Sequence, residues 1–223
     1  MSVRACVLAV AAFGLVGCED VSGAVTDGLS RIGAPSDATA QGIRTLSLMQ
    51  GDVLVRGPEG YCVDQAASNA RRGFAVMAGC ALMSEDAAIM PSLDGLITVQ
   101  VGADETSSVA GNEEAFAAFL ETEAGRGLLA ADSDTASVGE VTTIAGDGRV
   151  LARFEDASGP VFQGTTGPQW RGFLDVKGRL VTITVLSFER NELSRSEGER
   201  LMGAALEEFV EVNTSADTPK ENG

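Results

Sequence analysis

Across 223 residues the chain carries 32 Asp and Glu against 16 Lys and Arg, a net charge of −16, and it has no histidine. Phosphate backbones and anionic lipid headgroups both repel so acidic a chain, which argues against nucleic acid as a partner. Without histidine there is no Ser-His-Asp triad, no Cys-His pair, no His-ligated zinc and no CxxCH haem site.

Met1-Ser2-Val3-Arg4 supplies one positive charge before an apolar run from Ala5 to Leu15. As a helix that run reaches only about 16 Å, against a bilayer core of about 30 Å, so it is too short to span. It fits the apolar region of a signal peptide. Leu15-Val16-Gly17-Cys18 resembles the lipobox of bacterial lipoproteins: an aliphatic residue, a small or branched one, Gly or Ala, then Cys. The resemblance implies that residues 1–17 are a cleaved signal peptide. It further implies that Cys18 carries a thioether-linked diacylglycerol and an acyl chain on its freed amine. Two or more chains, at about 0.8 kcal/mol per buried methylene, make a stable anchor. The implied location is the cell envelope, with the domain in the periplasm and the bilayer as partner through Cys18. In that family an Asp directly after the Cys favours the inner membrane. Glu19 stands there, followed by Asp20, so inner and outer membrane both stay open.

On this resemblance Cys6 leaves with the signal peptide and Cys18 takes the lipid. Cys62 and Cys80 remain in an oxidising compartment, where a disulfide between them is expected. A loop of that size gives about 3 kcal/mol from closure entropy. Two reduced, buried cysteines are the alternative.

Residues 18–42 form the lipidated Cys and a Gly-, Ala-, Ser- and Asp-rich tether, with a short helix possible within 20–32. A single domain is expected over 43–212. Thr45 to Leu48 alternates as a strand, Gln50-Gly51-Asp52 turns, and Val53-Leu54-Val55 returns. Gly57-Pro58-Glu59-Gly60 is a second turn, Tyr61 to Val63 is extended, and 65–72 is a loop or short helix. Phe74, Val76, Ala78 and Cys80 share one strand face, aiming Cys80 toward Cys62. Leu96 to Val101 is another strand. Asn112 is an N-cap for an amphipathic helix bearing Phe116, Phe119 and Leu120 and ending near Gly125. Two hairpins follow, 141–145 with 149–154 and 170–176 with 180–186, turning at Gly146-Asp147-Gly148 and Lys177-Gly178. Ser194-Arg195-Ser196-Glu197 is a capping box for a final helix. Its stripe is Leu201, Met202, Ala205, Leu206, Phe209 and Val210, and Gly198 and Gly203 each cost it about 1 kcal/mol. Residues 213–223 are expected as a disordered tail.

This order predicts an α+β fold: a largely antiparallel sheet with two main amphipathic helices packed on it and one intradomain disulfide. In element order it resembles the PsbP-like fold, seen in some small secreted and lipid-anchored proteins.

Few residues carry chemistry. Asp132-Ser133-Asp134 offers oxygens to Ca²⁺, yet lacks the Gly and Glu of an EF-hand loop. Arg71-Arg72 is a basic pair in an acidic chain, open to an acidic partner or a phosphate. Arg149, Arg153, Arg171 and Arg179 are expected in cross-strand ion pairs on the hairpins. Trp170 caps the core or edges a groove. No catalytic residue, metal ligand or cofactor stands out. The expected function is a non-catalytic binding or assembly module for another envelope protein or a small ligand. A carboxylate-based hydrolase or transferase, which needs one carboxyl with a raised pKa beside a second, and a Ca²⁺-dependent module are the alternatives.

Overall fold

The computed structural model describes residues 43–83 and 90–216. The lipobox with Cys18, the proposed tether up to residue 42, and residues 217–223 lie outside them. Among the described residues there are nine strands and three α-helices: β1 Thr45–Leu48, β2 Val53–Arg56, β3 Tyr61–Asn69, β4 Phe74–Gly79, β5 Gly95–Val101, α1 Glu113–Glu121, α2 Glu123–Leu129, β6 Thr142–Gly146, β7 Arg149–Phe154, β8 Thr165–Val176, β9 Arg179–Phe188 and α3 Arg195–Ala216. None of these helices is long and apolar enough to cross a membrane. The fold is α+β.

Seven strands form one antiparallel sheet in the order β3-β4-β5-β9-β8-β7-β6, and β1-β2 is a separate hairpin. Period-two alternation sends Val181, Ile183 and Val185 to the front of the sheet. There they join Ile97, Val99, Trp170 and Leu174 under Leu201, Met202, Leu206 and Phe209 of α3, with Leu48, Val53 and Val55 of the hairpin completing the layer. On the back, Val150, Ala152, Phe154 and Phe173 pack under Ala117, Leu120 and Leu129 of α1 and α2. Further along the back, Val76, Ala78, Leu96, Leu186 and Phe188 are covered by Phe162. Each side of the sheet is thus apolar, as a three-layer arrangement requires.

Cys62 and Cys80 form a disulfide, with their Cα atoms 4.8 Å apart. Beside it, the Tyr61 hydroxyl donates to the Leu93 carbonyl (2.7 Å) and accepts from the Gly95 amide (3.0 Å). Burial pushes this phenol well above its ordinary range.

Three sequence expectations need correction. First, within 65–72 only Ala70–Arg72 is the short helix, and the rest is strand: β3 runs to Asn69 through a register break after Asp64. The Asp64 carboxylate accepts the amides of Ala66 (2.8 Å) and Ala67 (3.0 Å), which folds the bulge from within. Second, the first helix does not end at Gly125. It breaks at Thr122, whose hydroxyl caps α2 by accepting from the Gly125 amide (3.1 Å). A Cβ at Gly125 would lie 2.1 Å from the Phe119 carbonyl, so glycine lets α2 close against α1. The Asn112 side chain makes no capping bond; Glu113 accepts the Gly111 amide instead (3.2 Å). Third, α3 continues to Ala216, so 213–216 belong to the domain rather than to a tail.

The capping box at Ser194 forms as expected. Its hydroxyl accepts the Glu197 amide (3.3 Å), and the Glu197 carboxylate accepts the Ser194 amide (2.9 Å). Gly198 has a packing reason: the Trp170 ring occupies the space of a side chain there, 2.3 Å from where a Cβ would sit.

Candidate functional site

The two turns that close the β6-β7 and β8-β9 hairpins shape one end of the molecule. Asp147 and Gly148 have φ of 53° and 73°, and Lys177 and Gly178 have φ of 50° and 77°. Two consecutive left-handed residues give the turn whose twist matches right-handed strands. Between these turns and the C-terminal half of α3 opens a cleft of about 810 Å³. That volume falls in the range of small-molecule pockets.

Leu174 and Val176 of β8 contribute apolar surface to the cleft, and Val210 of α3 faces them. Val210 stands in the apolar stripe of the sequence, yet 43% of it is exposed. The inward positions beyond Phe209 go to Val212 and Asn213. Arg149 and Lys177 flank the sheet wall, and Glu207 and Glu211 line the helix wall.

Two of the carboxylates lining this cleft, Asp175 and Glu211, serve the scaffold. Asp175 Oδ2 accepts the amides of Val109 (2.8 Å), Ala110 (2.8 Å) and Ser108 (3.1 Å), latching the β5-α1 connection onto β8. Glu208 and Glu211 grip Arg56 of β2 at 2.6 and 3.2 Å. The hydrogen bond that Arg56 donates to Glu208 is the main cause of the raised pKa of that guanidinium. Asn213 is 4% exposed, and its amide group both donates to the Leu54 carbonyl and accepts from the Leu54 amide, each at 2.9 Å. A side chain of α3 thereby stands in for a neighbouring strand along β2.

The residues singled out in the sequence fall elsewhere. Arg71 and Arg72 sit together, exposed, in the turn between β3 and β4. Trp170 is 4% exposed on β8, with β5 and β9 between it and β4. No shared site joins them. Trp170 is a core residue first and touches only a minor crevice beside Arg153 and Met202.

The four hairpin arginines do not make cross-strand ion pairs, because no acidic residue stands opposite any of them in the register. Arg179 is 5% exposed and reaches off the sheet to Asp104 and to Asp52, the latter at 3.1 Å. Arg153 lies over the Trp170 ring, 5.7 Å from its centre. Arg171 donates to the Leu128 and Leu129 carbonyls (3.3 and 3.4 Å) at the negative end of α2. Burial pushes its guanidinium down to about 10, against the pull of Asp156.

Asp132 accepts the Asp134 amide (2.8 Å), and Asp134 accepts the Ala136 amide (3.0 Å). No cluster of three metal-ligating side chains occurs among the described residues. Among the described residues three carboxyls are displaced from their ordinary range, and all three are displaced downward. Burial pushes Asp156 up, but hydrogen bonds from Ser158, Ala131 and Ser137 outweigh it. Backbone amides lower Glu113, and Ser194 lowers Glu197.

No family model matches the chain, and no curated protein does. Among solved structures the chain is similar to a mutant of protein Mog1, at 13% identity and a TM-score of 0.43, over 77% of this chain and 97% of that one. It is also similar to the Ran-binding protein Mog1p of Saccharomyces cerevisiae, at 12% identity and a TM-score of 0.42, over 77% and 96%. PsbP from the cyanobacterium Synechocystis gives 11% identity and a TM-score of 0.34, over 82% and 96%. At these levels the likeness is confined to the course of the chain.

Proposed function

We propose that this protein is a lipid-anchored module of the cell envelope that binds another envelope protein or a small ligand and performs no catalysis. The α3 cleft is the observation that carries the binding half. It joins apolar surface from Leu174, Val176 and Val210 to a rim of mixed charge, and its volume suits a ligand. Of the acids that line it, Asp175 holds backbone amides and Glu211 holds Arg56, so these two are spent on structure. A carboxylate enzyme needs one carboxyl held protonated near neutral pH, which calls for an upward displacement.

The anchoring half rests on Leu15-Val16-Gly17-Cys18. The Cys62–Cys80 disulfide fits an oxidising compartment. Mass spectrometry of the native product tests the anchor: the N-terminal peptide is expected to begin at Cys18 with fatty adducts. A peptide retaining Met1, or a bare Cys18, overturns it. A photoreactive residue replacing Val210 in the full chain tests the cleft. It is expected to give one discrete adduct in the envelope, and a chain that crosslinks to nothing there loses the cleft as its site.

A further inference from the structure

The sheet has two edges, and among the described residues only one is protected. On β3 the Asp64 bulge bends the strand, and the Ser68 hydroxyl donates to the Asp64 carbonyl (2.5 Å) and accepts from the Val76 amide (3.0 Å). Ile43 pairs across Val63 on the same edge. Bulges and covering segments are the devices that blunt an edge. β6 has neither. It runs in unbroken register with β7 from Thr142↔Arg153 to Gly146↔Arg149 and contains no proline and no charged residue.

The two-residue turn fixes which groups are free. Gly146 and Arg149 exchange ladder bonds, and so do the pairs Ile144–Leu151 and Thr142–Arg153. The amides and carbonyls of Thr143 and Ala145 therefore point away from the sheet. Among the described residues nothing hydrogen-bonds to either amide.

The surroundings indicate what would pair there. On the back, Glu121 of α1 reaches the Thr143 hydroxyl (2.7 Å), and exposed Glu140 and Asp147 bracket the strand. On the front, Ile144 is 57% exposed. A strand laid along β6 would turn alternate side chains toward these two unlike surfaces. We propose that β6 accepts an extended segment of another protein in which basic residues, facing Glu121, alternate with apolar ones, facing Ile144. The same acids, with a net charge of −16 on each molecule, disfavour a second copy of this chain. The proposal rests on the reading of the domain as a binding module and adds a second surface to it.

The test titrates the isotope-labelled full chain at low salt with a capped heptapeptide of alternating lysine and valine. Controls are a glutamate–valine counterpart and a lysine–valine peptide with its order scrambled into blocks. The alternating basic peptide is expected to shift the amides of 142–146 and to slow exchange at Thr143 and Ala145 at least tenfold. Ala145→Pro removes an outward donor and leaves the ladder bonds in place, so it is expected to weaken binding at least tenfold. Thr143→Pro serves if that variant does not fold. Glu121→Gln is expected to weaken binding about threefold, with the difference vanishing at high salt. Equal binding of either control peptide, or unchanged binding by the proline variants, overturns the proposal. Concentration-dependent self-association lost in Ala145→Pro also overturns it, in favour of a second copy. Shifts confined to Leu174 and Val210 overturn the edge while leaving the cleft reading intact.

Discussion

The two ends of α3 are held by unlike forces. At its start, the Ser194–Glu197 box satisfies orphan amides, and the Trp170 ring seats against bare backbone at Gly198. At its finish, Asn213 hydrogen-bonds to the backbone of Leu54, while Glu208 and Glu211 hold Arg56. The first end depends on shape and capping, the second on buried polar matching. Shape fails by overfilling, whereas a polar match fails by leaving a partner unsatisfied. One helix can therefore be loosened at either end by opposite kinds of substitution.

Substitutions break the comparison in order of size. Gly198→Val drives a branched side chain into the indole and is expected to cost about 3 kcal/mol. Thermal unfolding should then fall by roughly 6–12 °C for a domain of this size. Asn213→Ala strands the backbone groups of Leu54 and is expected to cost about 2 kcal/mol in denaturant titration. Ser194→Ala is expected to cost about 1 kcal/mol. That loss depends on pH. Ser194 holds Glu197 below its ordinary value, so the folded pKa lies under the unfolded one. The part that comes from the hydroxyl's bond to the Glu197 carboxylate is present above about pH 4 and is lost as pH falls through the folded value, so the gap between wild type and variant should narrow there, while the bond the hydroxyl accepts from the Glu197 amide persists. Gly203→Ala sharpens the contrast with Gly198. Nothing lies within 4 Å of a Cβ at that position, so the variant is expected to gain about 0.8 kcal/mol.

This contrast also tracks what the amino-acid order made legible. The start of α3 was readable because a capping box is local: four consecutive residues state it. The end was not, because an Asn in an apolar slot gains its meaning from Leu54, distant in sequence. Helical spacing from Phe209 to Asn213 was the available hint. The disulfide followed from the lipobox resemblance and the compartment it implies. The hairpins followed from their glycines, and the antiparallel α+β arrangement from short turns. The break at Thr122 was hidden because an apolar stripe cannot reveal a helix folding back on itself. The hairpin arginines were misread because strand register, not strand identity, decides what stands opposite a side chain. Arg71, Arg72 and Trp170 drew notice by rarity, and rarity says nothing of proximity. The cleft had no sequence signature, since its walls come from β7, β8 and α3.

Strand β9 lies beside β5, with Val99 paired to Ile183, and α3 follows it in the chain. A nascent polypeptide that has emerged only as far as Lys177 therefore has a gap at the middle of its sheet and only the β1-β2 hairpin, without α3, to cover the front. Closure has to wait until β9 and α3 have been made, and such long-range pairing is among the slowest steps a small domain takes. A domain that cannot fasten itself before β9 arrives stays threadable until then, and a shortened product ending before β9 should be cleared by proteases rather than accumulate.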